Sequence, residues 1–292
     1  MTAAQQATVK SMTEEEFAIF IRTRGTHVTS KKGRFWRSDL GRFQPTHLYA
    51  RLSSSEIVRP APNCWAYRAA LADGNEGAAN GAIPMHLIQD LDSFSLERVR
   101  PSKRRQIRAS LQNLTFVEIV EPELLEKQGL RVLKSAVERH GYGRLHGQTS
   151  YRKSIDPFFT PQRGLALGAL RGEELVGYIT MYAVTGTAYV DEVHLASDAL
   201  DTHVGPGLLY QVVEACKRSP EVTKLVHGLV APERPGLATF KEQMGFRTVE
   251  VPARYWIAPG AKQLLRSLRL PAYYRFTGQQ SDPSRQAQST FL

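Results

Sequence analysis

The stretch VDEVHLASDALDTHVGPGLLYQVVEACK, residues 190–217, decides the fold. Its opening residues read as a strand, a loop follows, and Leu208, Leu209, Val212, Val213 and Cys216 then share one face of a helical period. Between strand and helix stands Gly205-Pro206-Gly207. Glycine on both sides of a proline permits a tight turn. It equally lets a phosphate oxygen approach the amides of a helix start without meeting a Cβ. The residues alone allow both readings, and the elements around them decide which is worth pursuing.

Working outward from residue 112, the pattern predicts a strand at TFVEIV (115–120), a helix over 122–140 and a short helix over 151–159. Three strands follow, LALGALRG, ELVGYITMYAV and TAYVDEVHLAS, and then a helix over 207–218. TKLVHGLVA reads as a strand, GLATFKEQM as a helix, RTVEVPARYWI as a strand and AKQLLRSLR as a helix. The expected class is α/β (α+β), with a mixed central sheet and helices on both faces.

The first third is less regular. Thr13 and Glu16 have the spacing of a capping box for a helix running to about Arg24. A segment rich in glycine, arginine and aromatics follows, with the composition of paired strands; HLYARL, CWAYRAAL and IPMHLIQDL also read as strands, and GNEGAANG as a loop. PSKRRQIRASLQN begins as a helix should, with Pro101 and Ser102 at its start. These changes divide the chain into an N-terminal accessory region (1–111), a patterned domain (112–276) and a polar tail (277–292) expected to be disordered.

With 292 residues, 42% of them hydrophobic, the chain can bury a large core. No apolar stretch approaches the length of a membrane span and the N-terminal residues lack a signal-peptide core, so the cytoplasm is the expected compartment. Cys64 and Cys216 have no ligand-type spacing and are expected as reduced, buried thiols, with no metal site. A net charge of +10 favours polyanionic partners. The charge is densest in SKKGRFWRSDLGRF (30–43) and RVRPSKRRQIR (98–108), which read equally well as solvated basic faces or as contacts for phosphate or RNA. No Walker loop, Rossmann fingerprint, nucleophile elbow or H-E-x-x-H is present, so kinase, dehydrogenase and hydrolase readings have no anchor.

This element order, together with the loop containing Gly205 and Gly207 and the motif FKEQMGF, resembles the GNAT superfamily of N-acyltransferases over about residues 112–258. GLATFKEQMGF, preceded by the basic helix SKRRQIRAS, is similar to the FemAB-like branch, whose enzymes transfer amino acids from aminoacyl-tRNA to cell-wall precursors. The resemblance implies a strand that splays from its neighbour, with Val193, His194 and Leu195 offering backbone groups to a pantetheine arm. It implies a pyrophosphate at His203, Val204, Gly205, Gly207 and Leu208, although Thr202 stands where the family's loop carries Gln or Arg. Asp191 takes the family's general-base position, with Glu192 its neighbour on the opposite face. Lys241, preceded by Phe240, stands where acetyltransferases carry an acid tyrosine, and FemAB-like proteins place a lysine of this motif at the transfer centre. His140, Tyr142, Arg144 and His146 lie where such proteins build an acceptor pocket.

Of three functions the first is the expected one, because CoA is the commonest donor in the superfamily and the loop keeps the backbone geometry that a pyrophosphate needs. Acetyl-CoA or another acyl-CoA as donor to a small-molecule or peptide amine follows from the paired glycines, and an N-terminal third shorter than the duplicated FemAB domain favours it. Aminoacyl-tRNA as donor follows from Lys241, the basic helix and the net charge. A GNAT-fold binding module without catalysis would explain Thr202 and the missing tyrosine.

Overall fold

The computed structural model describes residues 2–141, 147–159 and 164–279. In chain order its strands are β1 (Thr2–Ala3), β2 (Ser11–Met12), β3 (His27–Lys31), β4 (Arg34–Asp39), β5 (Arg42–Pro45), β6 (Arg51–Leu52) and β7 (Ala66–Leu71). They continue with β8 (Gly81–Ile88), β9 (Thr115–Glu118), β10 (Leu165–Arg171), β11 (Glu174–Val184), β12 (Thr187–Leu195), β13 (Lys224–Leu229) and β14 (Arg247–Ile257). The helices are α1 (Glu14–Thr23), α2 (Pro101–Asn113), α3 (Leu130–His140), α4 (Gln148–Ile155), α5 (Val204–Arg218), α6 (Pro235–Gln243), α7 (Pro259–Leu268) and α8 (Leu270–Thr277). Two units share them: unit 1 comprises Met1–Arg24, Leu87–Gly228 and Phe240–Arg247, and unit 2 comprises Gly25–His86, Leu229–Thr239 and Thr248–Leu292. The division is discontinuous in sequence, whereas periodicity suggested one boundary near residue 112.

In unit 1 the sheet runs β1-β9-β10-β11-β12-β13. β11 is buried along nearly its whole length, as a central strand covered on both faces must be. The covering helix α5 sits on Gly177 of β11, where an added Cβ would lie 2.9 Å from Val204 Cγ2 and 3.0 Å from both Leu195 Cδ2 and Leu208 Cδ1. Glycine there gives the helix start its seat. At α1 the capping box forms as expected, with Thr13 accepting from the Glu16 amide and the Glu16 carboxylate accepting from the Thr13 amide.

In unit 2 the sheet contains β14-β7-β5-β4-β3, and the basic run 30–43 is its meander. The registers Lys31↔Arg34 and Asp39↔Arg42 leave two-residue loops. Lys32-Gly33 and Leu40-Gly41 fill them with positive φ at both positions (49° and 73°; 49° and 80°), which is the type I′ geometry that matches strand twist.

The structure departs from the expected elements in several places. HLYARL contributes only Arg51–Leu52 to a strand, and CWAYRAAL becomes extended only from Ala66. The helix expected over 122–140 contains a π turn at Leu125–Gly129 before α3 begins. α5 starts at Val204, ahead of the expected residue 207. α8 was not anticipated; it buries Tyr273, Tyr274 and Phe276, so residue 277 belongs to a helix. The rest of the expected tail, from residue 280, lies outside the described residues.

Candidate functional site

The stretch that opened the reading becomes strand β12, a loop and helix α5, and its distinctive feature is how β12 leaves its neighbour. β12 pairs in parallel with β13 at Thr187↔Lys224, Ala188↔Leu225 and Tyr189↔Val226. Among the described residues that register goes no further, while on its other side β12 stays paired with β11 to Leu195. A bulge accompanies the parting. Glu192 faces Thr180 and Val190 faces Met181, leaving Asp191 as the extra residue. A bulge bends its strand and interrupts the alternation of faces, so the strict assignment of Asp191 and Glu192 to opposite sides does not apply here.

At the parted end of β12 one of the backbone groups expected to meet a donor is already engaged. The Leu195 carbonyl accepts from Arg139 Nη1 of α3 at 2.9 Å, so Val193 and His194 remain as the candidates for pairing with a ligand. Beyond the strand, His203 begins α5 in the left-handed region (φ 58°). Its amide donates to Leu200 O at 3.1 Å, that of Gly207 donates to His203 O at 3.2 Å, and Pro206 has none. The amides that could meet an anion narrow to those of Val204 and Gly205. The side chains of Val204 and Leu208 are wholly buried in the core, so only backbone is on offer.

Of the two loop glycines, Gly207 has a packing explanation and Gly205 meets only one side-chain end. A Cβ on Gly207 would lie 2.2 Å from Ser110 Oγ of α2 and 2.5 Å from Phe116 Cζ, and one on Gly205 would lie 3.0 Å from Leu195 Cδ1. Gly207 is therefore a point of close approach of α5 to both α2 and β9.

Lys241 stands out on α6, where it is the buried side chain, 5% exposed, and Phe240 is only half-buried. Its ammonium donates to His227 O at 2.6 Å. His227 follows Val226, the last β13 residue paired with β12, so this charge sits where the strands part. Burial pushes the Lys241 pKa down to about 8. Phe240 lies under the Lys103 ammonium of the basic helix α2, 5.2 Å from ring centroid to Nζ.

Of the expected carboxylates, Asp191 forms an ion pair with Arg24 at 2.9 Å, both side chains 19% exposed, and the Arg24 guanidinium stacks 4.6 Å from the Phe158 ring centroid. The pair ties the bulge of β12 to the end of α1. Asp191→Asn should lower stability by about 1–3 kcal/mol, between the values for exposed and buried pairs, and leave the pH profile of any activity in place. Chemical denaturation together with a pH–rate profile checks both halves.

Glu192 has a different partner, His194, with Oε2 and Nε2 3.1 Å apart. The His194 ring lies 5.0 Å from that of Tyr178, its cross-strand neighbour, and Tyr178 is joined to Tyr151 of α4 by a 3.2 Å bond between hydroxyls. Burial raises Tyr151 to about 12 and drives Tyr178 well above the ordinary phenol range, so both stay neutral hydrogen-bonding groups. Gly129, in the π turn, makes the room, since a Cβ there would lie 2.0 Å from the Tyr151 hydroxyl oxygen. Sequence reasoning missed both tyrosines; only the register Tyr178↔His194 could have nominated one of them.

His140 ends α3 in contact with Arg139, while Tyr142, Arg144 and His146 lie outside the described residues. Cys64 and Cys216 are free and buried. Among the described residues no helix is long and apolar enough to cross a membrane, and no cluster of metal-ligating side chains occurs.

No protein-family model matches the chain, and no curated protein matches it. Solved structures do. The chain is similar to the C-terminal domain of a putative lysylphosphatidylglycerol synthetase from Agrobacterium fabrum, with TM-score 0.58 and 10% identity over 91% of this chain and 98% of that one. FemX matches with TM-score 0.58 and 9% identity over 89% and 99%. L-PGS from Bacillus licheniformis matches with TM-score 0.57 and 12% identity over 93% and 99%. The fold is GNAT-like and FemAB-like, a mixed α/β sheet flanked by helices. The likeness to FemX extends over nearly its whole chain, so the expectation that this N-terminal third is too short for the FemAB form is corrected.

Proposed function

We propose that this chain is an acyl-group transferase of the aminoacyl type, with its transfer centre in unit 1 where β12 and β13 part. The observation that carries the reading is Lys241, a buried ammonium bonded to His227 O at that fork. When an amine attacks an ester carbonyl, negative charge gathers on the carbonyl oxygen, and a fixed cation in a dry site lowers that state more than the ground state. The new C–N bond forms, the C–O bond to the donor breaks, and the amine's proton passes by way of a base to the departing donor oxygen, which leaves as a hydroxyl. The Glu192–His194 pair supports that last role better than Asp191 does, because Asp191 is committed to Arg24.

Aminoacyl-tRNA fits better than acyl-CoA as donor. Gly207, one of the two glycines that favoured a pyrophosphate, has a packing role, and the basic helix α2 borders α6 through Lys103 and Phe240. The fold is that of FemX and of a protein named for lysylphosphatidylglycerol synthesis along almost its whole length, which agrees with an aminoacyl donor. Acyl-CoA is the second reading, favoured by the parted strands, whose open edge at Val193 and His194 suits a pantetheine arm. A small-molecule or peptide amine is the proposed acceptor under either.

The deciding assay gives the full chain radiolabelled aminoacyl-tRNA or labelled acetyl-CoA with a panel of small amines and peptides. Transfer of label from the tRNA pool, lost in Lys241→Met, is the expected result. Transfer from acetyl-CoA alone would establish the second reading, and neither transfer nor binding of either donor would overturn the transferase assignment.

A further inference from the structure

Unit 2 contains a buried cation that has no anionic partner among the described residues. Arg68 of β7 is 3% exposed. Its Nε and Nη2 donate to Gln44 Oε1 at 3.2 and 2.9 Å, its Nη1 donates to the Arg275 carbonyl, and its guanidinium lies 5.2 Å from the Phe276 ring centroid. All of these partners are uncharged. The nearby charges are of the wrong sign, since Arg37 and Arg42 both act on Arg68 and, together with burial as the largest cause, push its pKa down to about 9. Arg42 has Asp39 at 2.6 Å, and the Glu233 carboxylate is taken by Arg275.

The sheet register explains how the arginines meet. Arg37 of β4 is directly opposite Gln44 of β5, and Tyr255 of β14 is directly opposite Arg68 of β7, so Arg37, Gln44, Arg68 and Tyr255 form one row across the sheet. Directly opposed residues share a face. The Arg37 Nε–H is buried and has no hydrogen-bond partner among the described residues. The row thus holds two guanidiniums, one of them bonded to the carboxamide between them, and a buried donor left over.

We propose that the row Arg37–Gln44–Arg68 binds a terminal phosphate group, as a free phosphate or pyrophosphate or as the end of a small phosphorylated molecule. Guanidiniums present parallel N–H donors that match phosphate oxygens, and Gln44 spaces two of them across one strand. The depth of Arg68 selects a terminal group over the internal phosphodiesters of a polymer. The basic, aromatic run 30–43 supplies Arg37 of the site and the strand that continues into Gln44, and the site stands independently of the transfer centre in unit 1.

Calorimetric titration of the full chain at constant ionic strength, with sodium pyrophosphate in one arm and glycerol 3-phosphate in another, tests this. Saturable binding in at least one arm is expected; tighter binding of pyrophosphate identifies the free ion, and tighter binding of the ester identifies a phosphorylated molecule. Arg37→Gln should weaken it at least tenfold, while Arg254→Gln, which removes the same charge from an exposed β14 position, should change it less than twofold. Arg68→Met should raise the melting temperature without ligand and abolish the ligand-induced rise; if that variant does not fold, the comparison of Arg37→Gln with Arg254→Gln decides. No saturable binding in either arm, or equal weakening by Arg37→Gln and Arg254→Gln, would overturn the proposal.

Discussion

Lys241→Met should cut turnover by about a hundredfold or more, the loss typical when a single oxyanion-stabilising donor is removed, without lowering the protein's stability near neutral pH. The two halves have one cause. A lysine whose folded pKa is about 8, against an ordinary value of 10.5, holds fewer protons in the folded chain than in the unfolded chain between those pH values. Stability therefore rises with pH across that window, and below pH 8 the folded state carries the whole penalty, on the order of 3 kcal/mol. Methionine removes the penalty but leaves His227 O without its donor, a loss of about 1–3 kcal/mol, so the two terms roughly cancel. Denaturant titrations of both proteins from pH 7 to 10.5 check the stability half: the wild type should gain stability as pH rises and the variant should not. A variant that unfolds easily and shows the same pH slope would make Lys241 a structural residue.

The other large effect is expected far from any chemistry. Gly207→Val should destabilise unit 1 by about 3 kcal/mol or more and lower its melting temperature by roughly 6–12 °C, because its side chain has no room. The obstructing atoms are Ser110 Oγ and Phe116 Cζ, at 2.2 and 2.5 Å from the position of a Cβ. Gly205→Ala should be nearly neutral for stability, since it meets only the end of the Leu195 side chain at 3.0 Å. If a donor phosphate rests on the amides of Val204 and Gly205, donor affinity should fall in Gly205→Ala while melting stays put. Scanning calorimetry of the three proteins separates these effects; equal melting temperatures would show that α5 can move away from α2.

Periodicity made the patterned part of the fold legible, because its strands read as short apolar runs or as alternation and its helices as a longer apolar period. β14 has the bounds that its pattern predicts, and α2 begins at Pro101 as the proline requires. Long-range pairing was not legible. Nothing in the sequence says that residues 2–3 add a strand beside β9, or that Arg24 reaches Asp191. The bulge at Asp191 is set by the pairing of β11 with β12, so an alternation rule applied to β12 alone placed its carboxylates on the wrong principle. Lys241 was legible as a motif position, but its burial was not, since a lysine on a short helix reads as a surface residue until its surroundings are known. The glycines at 205 and 207 show the converse: the same residue type serves a phosphate or a close helix contact, and only the neighbouring atoms distinguish them.

The central claim is that the fork between β12 and β13 receives the donor's acyl end. Hydrogen–deuterium exchange of the full chain, with and without a 3′-aminoacyl-adenosine amide as a non-hydrolysable mimic of the aminoacyl-tRNA terminus, tests it directly. The account predicts slowed exchange at residues 190–194 and 227–228, on both arms of the fork, with α7 and α8 unchanged. Unchanged exchange on both arms at saturating mimic, or protection confined to unit 2, would contradict it.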